Sequence, residues 1–474
     1  MATARVAVLG GGLAGLAAVL RLGEAGYEVE LFERRSVLGG RASSFVPPGE
    51  TQPIDNCQHV LLGCCTNLLD FFRRVGVAER FRFYNRFVFV GRGSHSPNSE
   101  RSCSLSASPL PAPLHLLPSL LAFDILSWKD RVAVGRALWS ILRTPQPFPD
   151  EPLMEWLERH KQSDAARENF WRVILTSALN EELERLSTRP AFHVFLDSFL
   201  RNRRGYRMGI PTVPLSELYS TRSFGERCTV HLGSAVAGLQ MAGNRVEALG
   251  LQNEEIQSAD FFVSALPGDS VAGLIPEEQR RLWPAPQRCS ALEWSPITGI
   301  HLWFDRPVME QDHITVCGRT IQWVFNKSAI AGGGAGKAAG PQYIQLVISA
   351  SRSLTKLRRE EILERALGEL AEIAPQSRAA RLERAVVVRE TNATPSFPPG
   401  TEGRRPGPDT PFANLFLAGD WTASGWPPTM EGAVRSGYHA AERVTEAAGQ
   451  PRRFLVPGLP SDLLARFLMR GTQG

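Results

Sequence analysis

No apolar run in the 474 residues reaches the roughly 18 that a membrane-spanning helix needs. The longest lipophilic stretch, Leu114–Leu126, is interrupted by His115, Pro118 and Asp124. Blocks of five or six like charges are also missing, and 53 basic against 48 acidic residues leave a net charge of only +5. That balance sets nucleic acid aside as a partner but is compatible with contact to an anionic membrane face. Cysteine is sparse and irregular: seven residues, an odd number without regular spacing. A disulfide framework is excluded, and thiols in a reducing compartment are expected. Cys57, His59, Cys64 and Cys65 lie close in sequence. The adjacent pair cannot easily place both thiolates on one tetrahedral ion, and no Cys-x-x-Cys pair accompanies them, so no metal site is expected. Val6–Leu22 is apolar, but it is dense in glycine, has Arg5 as its one early positive charge, and runs on into a strand pattern. It does not read as a signal peptide, and a cytoplasmic chain is the expectation.

What is present is an α/β opening. Arg5–Leu9 reads as a buried strand, Gly10-Gly11-Gly12-Leu13-Ala14-Gly15 as a turn, Leu16–Ala25 as a helix ending at Gly26, and Tyr27–Phe32 as a second strand closing on Glu33. In Gly10-x-Gly12-x-x-Gly15 the first glycine permits the tight turn, the second lets a diphosphate approach the backbone, and the third lets helix and strand pack closely. The helix N-terminus then aims unpaired N–H groups at phosphate charge. Glu33, eighteen residues after Gly15, has the spacing of an acid that accepts ribose hydroxyls. Arg34-Arg35 reads either as a 2′-phosphate site or as two solvated cations. The second glycine turn, Leu38-Gly39-Gly40-Arg41, favours a flavin dinucleotide over a nicotinamide one.

Downstream, Asn67–Val75 has helical spacing, Phe87–Val90 reads as a strand, and 104–210 looks mainly helical. β character returns over Thr229–Leu266. Strands are expected at Ile297–Phe304, Thr320–Phe325, Tyr343–Ile348 and Leu415–Ala418, helices at Arg358–Ala374 and from Thr429 to Ala448, and a surface loop at Ala331–Gly340. The tail Phe454–Met469 is amphipathic; it either lies on a membrane or docks on the body.

Three segments carry a resemblance. The N-terminal motif with Leu38-Gly39-Gly40-Arg41, and the C-terminal Leu415-Phe416-Leu417-Ala418-Gly419-Asp420-Trp421 followed by Pro428-Thr429-Met430-Glu431-Gly432-Ala433, resemble the opening and closing flavin motifs of the amine oxidase and phytoene desaturase superfamily. Asp55-Asn56-Cys57-Gln58-His59 is similar to a segment of its squalene-associated branch, the hydroxysqualene dehydroxylases. There the third position is commonly Gly where this chain has Cys57.

The resemblance implies a discontinuous Rossmann-type FAD-binding domain with a second mixed β-sheet and helical substrate domain. FAD-binding parts are expected at 1–66, 211–275 and 401–450, substrate parts at 67–210 and 276–400, and the amphipathic tail at 451–474. It further implies that FAD is held by Gly10, Gly12, Leu13, Ala14, Gly15, Glu33, Arg34, Gly39, Gly40, Arg41, Val236, Gly419, Asp420, Met430, Glu431 and Ala433. His59 is the expected proton donor to a departing hydroxyl, with Asp55 orienting it; the alternative is a packed histidine beside a turn acid. The implied reaction removes the hydroxyl of hydroxysqualene reductively, on a long-chain isoprenoid, with an electron donor still to be identified and peripheral contact with the inner face of the cytoplasmic membrane. A carotenoid desaturase, an amine oxidase and a non-redox isoprenoid carrier stay open beside it.

Overall fold

The computed structural model describes residues 4–93, 96–281, 283, 292–333, 340–396 and 398–470. β1 (Arg5–Leu9), four buried apolar residues behind an exposed Arg, occupies the centre of a five-stranded parallel sheet. The order is Cys228–Leu232, β2 (Glu28–Glu33), β1, Phe261–Ser264 and Leu415–Leu417. Three distant stretches of chain thus meet in one sheet. The largely apolar runs Arg5–Leu9, Phe261–Ser264 and Leu415–Leu417 suit parallel strands covered on both faces, while Glu28–Glu33 and Cys228–Leu232, toward one edge, carry polar residues among the apolar ones. α1 (Leu13–Glu24) and the closing helix Met430–Ala447 pack on each other over one face. The antiparallel strands Val236–Ala242, Arg245–Leu251 and Ile256–Ser258 contribute the apolar cluster on the other. α1 begins three residues earlier than the spacing indicated, because Leu13 and Ala14 turn helical as soon as the glycine turn ends.

The second sheet has seven strands, in the order Leu382–Pro395, Trp294–Phe304, Gln342–Ser349, Trp323–Asn326, His313–Val316, Arg86–Gly93 and Ser96–Ser106. Its pairings are antiparallel except for His313–Val316 beside Arg86–Gly93. Ile300, Leu302 and Phe304 cluster with the helix Arg359–Ile373. The two-residue period of a strand therefore turns Gly299 and His301 to the opposite face. There the helices between 117 and 200 build a separate core with Phe87, Phe89, Phe325 and Val347.

One strand was not anticipated, and two expectations need correcting. Leu382–Pro395 is the longest strand described, yet nothing in the sequence reading anticipated it; it lies at a sheet edge and is half-exposed along most of its length, which blurs the apolar alternation. α2 (Thr66–Arg74), expected in the substrate half, packs instead in the core of the parallel sheet, where Asp70 accepts the Tyr438 hydroxyl at 3.0 Å. Residues 327–332 form a helix overlapping the loop expected at 331–340, of which 334–339 lie outside the described residues. The tail docks: Phe454 is buried, and Asn67 bonds both the N–H and the carbonyl of Val456. No helix among the described residues is long and apolar enough to cross a membrane.

Candidate functional site

The two glycine turns stack on each other at the C-terminal edge of the parallel sheet. Gly10 has φ +103°, and a Cβ on Gly15 would lie 1.9 Å from the Gly10 carbonyl oxygen, so helix and strand approach only because glycine stands there. The Gly39 N–H donates to the Gly11 carbonyl at 2.8 Å. Gly40, at φ +60°, lies so close that its Cβ would be 3.0 Å from the Gly12 Cα. Gly12 itself borders open space, the nearest atom to an added Cβ being 4.0 Å away. No side chain caps the N-terminus of α1, whose first turn holds buried Leu13 and Ala14 and no acid. An uncapped helix end behind a side-chain-free surface fits a diphosphate.

Glu33 is buried, and its two oxygens accept the Gly11 N–H at 2.7 Å and the Arg35 N–H at 2.8 Å. Each oxygen keeps a second lone-pair direction for a ribose hydroxyl. Of the two arginines that follow, Arg34 is exposed, whereas the Arg35 guanidinium donates to the Gly40 carbonyl at 2.8 Å. Arg35, which the sequence left as a 2′-phosphate ligand or a solvated cation, braces the second turn. Half-buried Val236 starts its strand just after Gly233 and Ser234 bond the carbonyls of Arg35 and Glu33.

Arg41 joins the two ends of the chain. Its guanidinium donates to Asp420 Oδ1 at 2.5 Å and to the Ala393 carbonyl at 2.8 Å, and lies over the Trp294 ring. Asp420 is buried beside Gly419, whose N–H donates to Ser436 Oγ at 2.8 Å. Thr429 caps the closing helix by accepting the Gly432 N–H at 3.3 Å, so Met430 and Ala433 lie in its first turn. Glu431 lies in that first turn as well, but its side chain turns toward α2. Its carboxylate accepts Asn67 N–H and Nδ2 through Oε1 and the Leu68 N–H at 2.7 Å through Oε2, closing the N-terminus of α2. A helix N-terminus attracts a carboxylate whether or not a ligand is near.

The Asp55–His59 segment lies between this cradle and the second sheet. Asn56 Nδ2 donates to the Arg41 carbonyl at 2.6 Å, and Gly299 packs against Asn56 and Cys57. Asp55 does not orient His59. It is buried, accepting Ser44 Oγ at 2.8 Å and the Leu215 N–H at 2.9 Å on Oδ1, and Lys327 Nζ at 3.2 Å on Oδ2. Lys327 also donates to Gln58 Oε1 at 2.8 Å, and Gln58 Nε2 donates to the His59 carbonyl at 3.0 Å. His59 Nδ1 faces the Cys57 carbonyl at 3.0 Å. A carbonyl only accepts, so Nδ1 carries the proton; in the neutral ring Nε2 is a bare acceptor, without a hydrogen bond among the described residues. Burial pushes the imidazole below its ordinary range and the neighbouring Cys57 thiol up to about 12. On the facing strand His301, driven down to about 3 by burial, pairs with the Tyr343 hydroxyl at 2.6 Å. Lys327 was missed; its one signal was scarcity, as one of five lysines among many arginines.

Residues 13–445 match the sequence profile of the family described as flavin containing amine oxidoreductase. A hydroxysqualene dehydroxylase from Rhodopseudomonas palustris is 28% identical over 451 residues, covering 93% of this chain and 98% of that protein. A 15-cis-phytoene desaturase from Synechococcus elongatus is 25% identical over 461 residues, covering 93% and 95%. Among solved structures, an oxidoreductase from Methanosarcina mazei aligns with a TM-score of 0.71 at 20% identity, over 91% of this chain and 98% of that one. A putrescine oxidase aligns at 0.66 and 16% identity, over 94% and 98%. At those identities the structures speak for the fold.

Proposed function

The chain belongs to the family of flavin containing amine oxidoreductases and is an FAD-dependent oxidoreductase, and from that premise we propose that it removes the hydroxyl of hydroxysqualene reductively to give squalene. The observation carrying this reading is the Asp55–His59 segment, pinned beside the Arg41–Asp420 pair with His59 Nε2 unpartnered among the described residues. The full-length likeness to the Rhodopseudomonas palustris protein supports it.

FAD, when bound and reduced, supplies the hydride that replaces the lost hydroxyl. The Gly10–Gly15 and Gly39–Gly40 turns would hold its diphosphate and Glu33 its ribose, with Arg41 and Asp420 at the junction of the chain ends. His59, once it takes a proton on Nε2, delivers it to the hydroxyl oxygen, because a C–O bond breaks far more easily to release water than hydroxide. Lys327 and Gln58 fix the backbone that carries His59. Cys57, Val60 and Leu62 join the apolar cluster of the helical layer, a wall suited to a long-chain isoprenoid. The electron donor enters as a separate partner.

One observation favours a second reading. His59 rests as a base, the form needed to take a proton from a chain being desaturated, as in a carotenoid desaturase. The decisive assay compares hydroxysqualene plus a reductant with phytoene plus an oxidant, with products read by mass spectrometry; conversion of phytoene alone ends the dehydroxylase reading. Peroxide release from amines would point instead to an amine oxidase. Protein that stays colourless after FAD addition would point to a carrier. His59→Gln should keep its flavin while turnover falls about 100-fold, the usual worth of a general acid.

A further inference from the structure

Eight of the thirteen exposed large apolar side chains among the described residues fall within 110–139 and 463–467. Those stretches meet in space. α3 (Leu117–Leu121) and the tail helix Leu463–Arg470 both pack on α4 (Trp128–Arg143). Arg131 on α4 donates to the Leu121 carbonyl at 2.5 Å, tying the end of α3 to the start of α4. Arg143 at the other end of α4 donates to the Leu468 carbonyl at 3.0 Å, tying down the end of the tail helix. Asp462 closes the third side: just before that helix, it accepts the N–H groups of Ala112 and Arg203 at 3.4 and 3.2 Å.

Each helix buries one face and leaves apolar residues on the other. Leu468 and Met469 pack into the helical core, while Leu463 and Phe467, one turn apart, are 76% and 74% exposed. Leu116 and Leu120 are buried, while Leu117 and Leu121 are exposed. On α4, Trp128 and Trp139 stand eleven residues apart, three turns and so one face, at 59% and 48% exposure. A contiguous exposed apolar patch of this kind marks a binding surface. Exposed Lys129, Arg136 and Arg466 accompany it. Exposed tryptophan, leucine and phenylalanine accompanied by cations are the residue types a bilayer interface selects.

We infer that the face built by α3, α4 and the tail helix docks on a lipid bilayer bearing anionic headgroups. The core beneath it runs through Leu120, Val134 and Ile141 to Cys57, two residues from His59, so the docked face backs onto the site through continuous apolar packing. Delivery of a water-insoluble substrate rests on the isoprenoid reading; the docking itself does not.

The test is co-sedimentation of the FAD-loaded protein with phosphatidylcholine vesicles, with and without phosphatidylglycerol, no substrate being present. The protein is expected to sediment with the anionic vesicles and to be released by salt. Leu463→Asp with Phe467→Asp should weaken binding about tenfold or more while flavin absorbance and melting temperature stay unchanged. Lys129→Gln with Arg136→Gln should weaken binding to anionic vesicles alone. Wild-type protein left in the supernatant, or variants that bind as well as it does, would overturn the inference. So would a dimer in light scattering that Leu463→Asp with Phe467→Asp dissolves, since the face would then cover a second copy. Vesicle binding without turnover of any isoprenoid would leave the docking standing and remove the substrate reading, so the two fail separately.

Discussion

The glycine cradle and the Asp55–His59 segment adjoin at Arg41, yet they are built by opposite means. In the cradle, backbone does the work: two turns free of side chains, an uncapped helix end, and one buried acid that binds amides. The Asp55–His59 segment depends on side chains brought from far away, above all Lys327, whose ammonium lies between Asp55 and Gln58. A backbone site tolerates change poorly at glycine and well elsewhere. A side-chain site fails when one partner of a buried pair is lost.

The sharpest break of that contrast is Gly12→Val. An added Cβ meets no atom nearer than the Gly40 Cα at 4.0 Å, so the fold should survive and bound flavin should disappear after gel filtration, read as the ratio of flavin to protein absorbance. A folded variant with full flavin content would show that the first turn is not where the diphosphate rests. Lys327→Met should act on stability instead. Leaving Asp55 buried without its cation costs about 3 kcal/mol, and adding Asp55→Asn should restore at least half of that in denaturant titrations. If the double variant recovers nothing, the pair is not what holds the segment.

The pH dependence of turnover separates the two readings of His59. Dehydroxylation needs the protonated ring, and burial lowers its pKa, so turnover should fall tenfold per pH unit once pH rises above a value under about 6.5. Desaturation needs the neutral ring, and turnover should instead fall as pH drops through that same value. The smallest effect is expected at Glu431. Its burial raises the carboxyl pKa, and Glu431→Gln turns an amide N–H toward the donors at the start of α2. A loss of about 1 kcal/mol with unchanged flavin content should follow. Loss of flavin would show that the side chain, and not only the backbone, serves the cofactor.

Much of the cradle was legible because it is local. Gly10, Gly12, Gly15 and Glu33 act through spacing along one βαβ unit, and spacing is what a sequence displays. Arg41 and Asp420 were legible only through likeness to known motifs, since 379 residues separate them. The role given to Asp55 was wrong for a physical reason: residues four apart in an irregular segment need not face each other, and a buried carboxylate takes the nearest cation, which came from the short helix that follows the strand Trp323–Asn326.

The sequence by itself determined the first βαβ unit, the uncapped helix end and the parallel strands around it, because hydrophobic period and glycine sterics act over a few residues. Only the tertiary structure decided that Lys327 meets Asp55, that Glu431 caps α2, and that three separate amphipathic helices share one exposed face. Those outcomes follow from burial and long-range pairing, where a polar group's partner is whatever the fold brings within about 3 Å.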